Sequence, residues 1–258
     1  MHPVIVRIGP ITVFSYGLML ALAFGLAVFW ASRQAVKRGI RVQTVLDLSL
    51  WMLIFGLAGG RLLFVLLNRS AFPTWLDAIR TWEGGLSFHG GLLGAVGALV
   101  VFARRRALDT WELMDLLSPA AALGYAVARI GCFLNGCCYG TPTNLPWGIT
   151  FPGVQNAVHV HPTQIYASVA NLVLFAVLAA VLKADPPKGV VFGLYLALYS
   201  VYRFLIEFLR KGATARVLAF GLTEAQFASA VLFAVGIALV LARRSFAKPT
   251  KLNGKTSN

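Results

Sequence analysis

His89 stands in the run Gly84-Gly85-Leu86-Ser87-Phe88-His89-Gly90-Gly91, where glycine permits close ligand approach and unusual backbone angles. An imidazole there offers proton transfer near neutral pH, although a lone histidine is more often a satisfied structural residue. Arg129 opens the run Arg129-Ile130-Gly131-Cys132-Phe133-Leu134-Asn135-Gly136-Cys137-Cys138-Tyr139-Gly140. Its plainest reading is a polar helix end with glycine caps, yet it also presents a guanidinium and an amide. Tyr199, Arg203 and Glu207 follow one another at i, i+4 and i+8, so one helix face carries all three. A guanidinium is a planar fork matched to carboxylate or phosphate oxygens. These residue types suit the binding of an anion and the movement of a proton.

The elements that hold them are set by composition. Of 258 residues, 58% are hydrophobic and 12% charged, where soluble domains carry about 25% charged residues. One soluble core could not hide that much apolar side chain, so the chain is expected to be an all-α integral membrane protein. Length and apolarity predict seven spans, at about 13–32, 46–67, 86–103, 113–134, 165–182, 189–208 and 218–242. Residues 1–242 then form a single polytopic domain, and 243–258 a basic tail. A net charge of +14 would suggest nucleic acid in a soluble protein. Here the basic residues cluster between spans, around Arg33, Lys37, Arg38 and Arg41, at Arg104, Arg105 and Arg106, at Lys183 and Lys188, and after Arg243. That spacing fits the positive-inside rule and an anionic lipid surface instead. It predicts a cytoplasmic C-terminus, an external N-terminus and an external, proline-rich cap at about 135–164. The first apolar run is expected to be a span rather than a cleavable leader, because its positive cluster follows it.

Depth comes from helix rise. His89 precedes Arg104 by 15 residues and Arg203 follows Lys188 by 15, each roughly 22 Å from the inner face. Tyr16 and Arg129 come out at roughly 25 Å, and Arg61 and Glu207 near the outer boundary. The polar set therefore faces one leaflet. Ionisable groups in the membrane are costly and mark function by default. A packing role suits Glu207 best, as a partner of Arg203. Asp47 and Asp115 lie near the opposite ends of their spans, so too few acids face Arg61, Arg129 and Arg203. An anion from outside, such as a lipid phosphate, would complete the balance.

At these residues the chain resembles the prolipoprotein diacylglyceryl transferase family over nearly its whole length. The resemblance rests on Tyr16-Gly17, the segment around His89, and the run from Arg129 to Gly136. It extends to His161-Pro162-Thr163-Gln164-Ile165-Tyr166 and to Tyr199, Arg203, Glu207 and Arg210. It implies a multi-pass enzyme of the bacterial inner membrane, its active site facing the periplasmic leaflet. The reaction implied moves the sn-1,2-diacylglyceryl group of phosphatidylglycerol to the lipobox cysteine of a prolipoprotein signal peptide and releases glycerol phosphate. By the same resemblance His89 and Tyr199 are catalytic, and Arg129 and Arg203 bind phosphatidylglycerol. Tyr16, Asn135, Gly140 and Glu207 support them. Cys132 and Cys137 stand where many members have Asn and Glu, which leaves open any hydrogen-bonding role there. The three cysteines either form a disulfide from Cys132 to Cys137 or Cys138, or stay free as small apolar groups. Their spacing matches no zinc pattern, and neither a metal nor a cofactor is expected.

Sulfur must displace a phosphodiester oxygen from a glycerol carbon in such a reaction. A thiol of ordinary pKa needs a base, and His89 suits that role. The leaving phosphate needs charge stabilisation more than a proton, and two guanidiniums supply it. Two rival classes remain. A flippase for anionic lipid would need a polar route to the inner leaflet, where these spans are nearly uniformly apolar. A non-catalytic scaffold would not need His89 and Tyr199 at the depth of the arginines.

Overall fold

A computed structural model describes residues 3–9, 11–69, 72, 79–80, 84–152, 158–210 and 221–246. Seven helices carry the described chain: α1 (Ser15–Lys37), α2 (Val42–Leu67), α3 (Phe88–Arg105), α4 (Thr110–Asn135), α5 (Thr163–Lys183), α6 (Val190–Glu207) and α7 (Glu224–Phe246). Each coincides with one expected span, with ends displaced by a few residues. Six are long and apolar enough to cross a membrane. The remaining one, α3, has 18 residues and ends on Arg104 and Arg105; it rises about 27 Å. The basic tail beyond Phe246 lies outside the described residues.

A feature the span count did not contain precedes α1. Strands β1 (Val4–Ile8) and β2 (Ile11–Phe14) pair antiparallel, closing on Ile8 opposite Ile11. Gly9 takes a φ of +59° at the turn, and the Ser15 amide bonds Pro3 O at 2.9 Å. Their β-branched residues read as strand, but they ran into the apolar stretch of α1.

The distribution of side chains inverts that of a soluble protein. Leu62, Leu93 and Val173 are exposed, whereas Thr163, Gln164, Ser168 and Asn171 are buried. Buried small polar groups tie helices together: Ser168 Oγ of α5 donates to Ala126 O of α4 at 2.9 Å. Apolar groups outside and such bonds inside fit hydrocarbon as solvent.

The chain forms two compact units, Val28–Leu116 and Met1–Ala27 with Leu117–Asn258. In the first, α2 and α3 meet backbone to backbone. A Cβ on Gly59 would lie 2.5 Å from Gly90 O, and one on Gly94 would collide with Phe55 O. The unusual backbone angles expected in the run around His89 are confined there to Gly84 and Gly85. The irregular part ends at Ser87, whose hydroxyl caps α3 by accepting from the Gly90 amide, and His89 occupies the first helical turn. The glycines serve close packing, and α3 runs unbroken. In the second unit α6 and α7 approach in the same manner: a Cβ on Gly236 would lie 2.7 Å from Gly193 O. There α1 rests on α4, with Gly124 against Ala23 and Ala27, and Gly131 against Tyr16 and Met19.

Candidate functional site

The unit containing α4 to α7 gathers most of the expected residues. Arg129 lies one turn after Tyr125 on α4. Its guanidinium donates to the Tyr125 hydroxyl and lies 4.6 Å from the centre of that ring, a cation–π contact. It is half-buried, and among the described residues no carboxylate pairs with it. Tyr125 also hydrogen-bonds Tyr199 and Tyr202 of α6. Its ring meets that of Tyr199 edge-on at 5.7 Å, and Tyr199 in turn stacks on Tyr195 at 5.8 Å.

One turn on from Tyr199, Arg203 donates to Glu207 at 2.5 Å. Glu207 is 7% exposed and also accepts from Thr223 Oγ1 at 3.4 Å. The expected shared face of α6 is therefore present, and its acid is committed to its arginine. Arg129 and Arg203 both lie within electrostatic reach of Tyr202. Two arginines thus flank an aromatic hydroxyl cluster, one neutralised by a carboxylate and the other not.

Helix α4 ends in a Schellman motif. Gly136 takes φ +72°, its amide bonds Phe133 O at 3.1 Å, and the Cys137 amide bonds Cys132 O at 3.1 Å. This closure sets residue 137 back over residue 132. Cys138 follows at φ +65°, a left-handed conformation that costs an L-residue about 1–2 kcal/mol. The neighbouring carbonyls are pinned by α5: Gln164 Nε2 donates to Cys137 O at 2.6 Å, and Thr163 Oγ1 to Cys138 O at 2.8 Å. All three cysteines are free, and their Sγ atoms lie within 4.8 Å of one another. Burial pushes the Cys137 thiol up. A hydrogen bond from Cys132 pulls the Cys138 thiol well below the ordinary range, with Arg129 and Arg210 adding to it. Asn135, exposed as the last residue of α4, hydrogen-bonds Cys137. Tyr16 packs on Gly131, within electrostatic reach of Arg129 and the cysteines.

The segment 136–162 is irregular, as expected of a cap; its residues 153–157 lie outside the described residues. Gly140 is its anchor. The Gly140 amide bonds His161 O and the Thr141 amide bonds Leu209 O, both at 2.9 Å, so the segment is sewn to the end of α6. A side chain on Gly140 would collide with Leu209 O, which gives this residue a packing role. Trp147 Nε1 donates to the Tyr166 hydroxyl at 2.8 Å. Below Tyr166 a groove of about 480 Å³ is lined by Ala170, Leu198, Val201, Tyr202 and Leu205, with Tyr166 itself. Of these, Leu198, Val201 and Leu205 are exposed.

His89 and Arg61 belong to the other unit. His89 is exposed and its ring meets Phe88 edge-on at 5.7 Å. Among the described residues, its nitrogens have no hydrogen-bond partner. Arg61 is buried and donates to Gly84 O at 2.6 Å, Gly85 O at 3.0 Å and Arg80 O at 2.9 Å. Arg61, counted among the arginines that too few acids face, is thus engaged by backbone carbonyls. Sequence reasoning also passed over Tyr125, the hub of the aromatic cluster. Its signal was present as a tyrosine four residues before Arg129. Gln164 was quoted only within a motif, although it is buried and holds the cysteine loop.

The chain is similar to known proteins over most of its length. The family described as prolipoprotein diacylglyceryl transferase matches residues 3–242. A phosphatidylglycerol–prolipoprotein diacylglyceryl transferase of Geobacter sulfurreducens is 39% identical over 252 residues, covering 94% of this chain and 96% of its own length. The protein of that name from Bordetella avium is 35% identical over 257 residues, covering 96% and 97%. The one from Clostridium tetani is 31% identical over 240 residues, covering 92% and 96%.

Proposed function

The chain belongs to the prolipoprotein diacylglyceryl transferase family, and from that we propose how its own residues carry the reaction. It is a multi-pass membrane transferase that uses phosphatidylglycerol to modify prolipoproteins, the first step of lipoprotein maturation. The acceptor is the lipobox cysteine of the signal peptide. Its thiolate attacks the glycerol carbon that bears the phosphodiester. A C–S bond forms, the C–O bond breaks, and the electron pair leaves on glycerol phosphate. His89 takes the thiol proton; an exposed imidazole with unengaged nitrogens suits that role.

Arg129 binds the departing phosphate. The observation that carries this is a half-buried guanidinium in a membrane span with no carboxylate partner among the described residues. A cation so placed is stabilised by an anion delivered with the substrate. Arg203 acts beside it, held in direction by Glu207, and so contributes orientation more than net charge. Tyr199, linked through Tyr125 to Arg129, donates a hydrogen bond to the same phosphate. Tyr16, Asn135 and Gly140 support the walls. These steps need neither a metal nor a diffusible cofactor. Basic clusters on alternate loops favour a periplasmic N-terminus, a cytoplasmic tail from 243, and one polytopic domain over 1–242 in the inner membrane, working at its periplasmic leaflet.

Purified protein, labelled phosphatidylglycerol and a lipobox peptide test the assignment. The thioether-linked diacylglyceryl peptide should form. Arg129→Ala should lose lipid binding, and His89→Asn should keep it while losing transfer. Full transfer by His89→Asn would remove the histidine from the base role, and undiminished lipid binding by Arg129→Ala would remove the clamp.

A further inference from the structure

The cysteine cluster at the end of α4 is used by none of the steps above. Three features make it more than adjacent thiols. The Schellman closure sets Cys137 over Cys132, and the left-handed turn at Cys138 brings the third sulfur to the same place. Gln164 and Thr163 hold the two loop carbonyls, so the sulfurs converge on a braced backbone. Cys138 is exposed while Cys132 is buried, so the cluster runs from the surface inward.

Their separations fit a shared ligand. Sulfurs about 2.3 Å from a cation at the centre of a triangle lie about 4 Å apart, and these lie within 4.8 Å of one another. Sub-ångström shifts would close the set. No histidine or carboxylate joins the cluster among the described residues. All-sulfur donors favour soft metals, and zinc sites take four ligands as a rule. A set of three favours a d10 ion content with three. Charge agrees: three thiolates around a monovalent cation leave two negative charges, and Arg129 and Arg210 act on Cys138 from beside it.

We propose that Cys132, Cys137 and Cys138 form a trigonal, all-sulfur site for Cu(I) at the C-terminal end of α4. Loading displaces whatever thiol protons the three sulfurs still carry and transfers no electron. It also draws on the Arg129 charge; this consequence rests on the reading of Arg129 as the lipid's partner, and it predicts several-fold weaker phosphatidylglycerol binding when copper is present.

The full-length protein, reduced and kept anaerobic in detergent, is titrated with Cu(I) against a chromophoric Cu(I) chelator. One equivalent should be retained, with a thiolate-to-copper charge-transfer band and three sulfur neighbours by X-ray absorption. Cys132→Ser and Cys138→Ser should each weaken retention at least tenfold. Retention undiminished in the triple Ser variant, fewer than three sulfurs, tighter Zn(II) than Cu(I), or a disulfide in place of bound copper would each overturn the site. X-ray absorption on the unsubstituted protein decides the matter even if a variant misfolds. Copper bound with lipid affinity unchanged would overturn the coupling to Arg129 and leave the site standing.

Discussion

Arg61 and Arg129 are both arginines set within membrane helices, and they are answered in opposite ways. Arg61 is buried and spends its donors on three backbone carbonyls of the segment before α3. Two of those carbonyls belong to Gly84 and Gly85, both at positive φ. The guanidinium there is a structural clasp. Arg129 has a tyrosine hydroxyl and a tyrosine face, which leave its charge uncompensated. Arg203 falls between them, as a cation already paired with its own carboxylate. The identity of the acceptor separates the three: carbonyls for Arg61, a carboxylate for Arg203, and for Arg129, among the described residues, neither.

The comparison breaks most visibly at Arg129 itself. Arg129→Ala should lower kcat/KM for phosphatidylglycerol roughly a hundred- to a thousand-fold, measured as thioether product per folded molecule. Arg61→Ala should leave that ratio within about twofold but destabilise the protein by about 1–3 kcal/mol through orphaned carbonyls, read as a lower thermal midpoint in detergent. If Arg61→Ala lost transfer at full stability, the division between clasp and site would fail. Next in size, Gly94→Leu should cost about 3 kcal/mol or more by forcing α2 and α3 apart. Retained lipid affinity in the folded fraction would keep this unit's packing distinct from anion binding.

Glu207→Gln tests the intermediate case. It should destabilise the protein by about 2 kcal/mol by freeing the Arg203 charge. Added phosphatidylglycerol should then raise the thermal midpoint more than in the unsubstituted protein, because its phosphate now neutralises two guanidiniums. An equal rise in both would mean that Arg203 does not reach the lipid. The smallest effect is expected of Tyr125→Phe, about tenfold in lipid affinity, equivalent to about 1.4 kcal/mol. An unchanged affinity would mean that the hydroxyl merely fills space beside Arg129.

The helices were legible because lipid demands a long apolar run for each crossing, and six of the seven helices are such runs. The face shared by Tyr199, Arg203 and Glu207 was equally legible, since helical spacing fixes it. What escaped depends on contacts between elements. The packing role of the α3 glycines escaped because a sequence does not show the backbone of α2 lying against them. Arg61 looked unpaired because its acceptors are main-chain atoms, which no residue type announces. The hairpin at Val4–Phe14 merged with α1 because β-branched and membrane residues are the same residues. An approach of Cys132 to Cys137 or Cys138 was one of two alternatives in the sequence, but the meeting of all three sulfurs was not legible. Spacing rules for metal ligands assume regular loops, and here a helix cap and a left-handed residue do the folding back.

The groove beneath Tyr166 bears on how the enzyme meets its lipid. Its exposed walls, Leu198, Val201 and Leu205, ask no acyl chain to leave hydrocarbon. Extracting a tail of roughly thirty methylenes into water would cost about 24 kcal/mol, far beyond what one arginine returns. The encounter is then a collision in two dimensions, and the relevant concentration is a mole fraction of the bilayer. Diluting phosphatidylglycerol with an inert lipid should slow turnover, whereas adding bilayer of unchanged composition around the embedded enzyme should not hasten it.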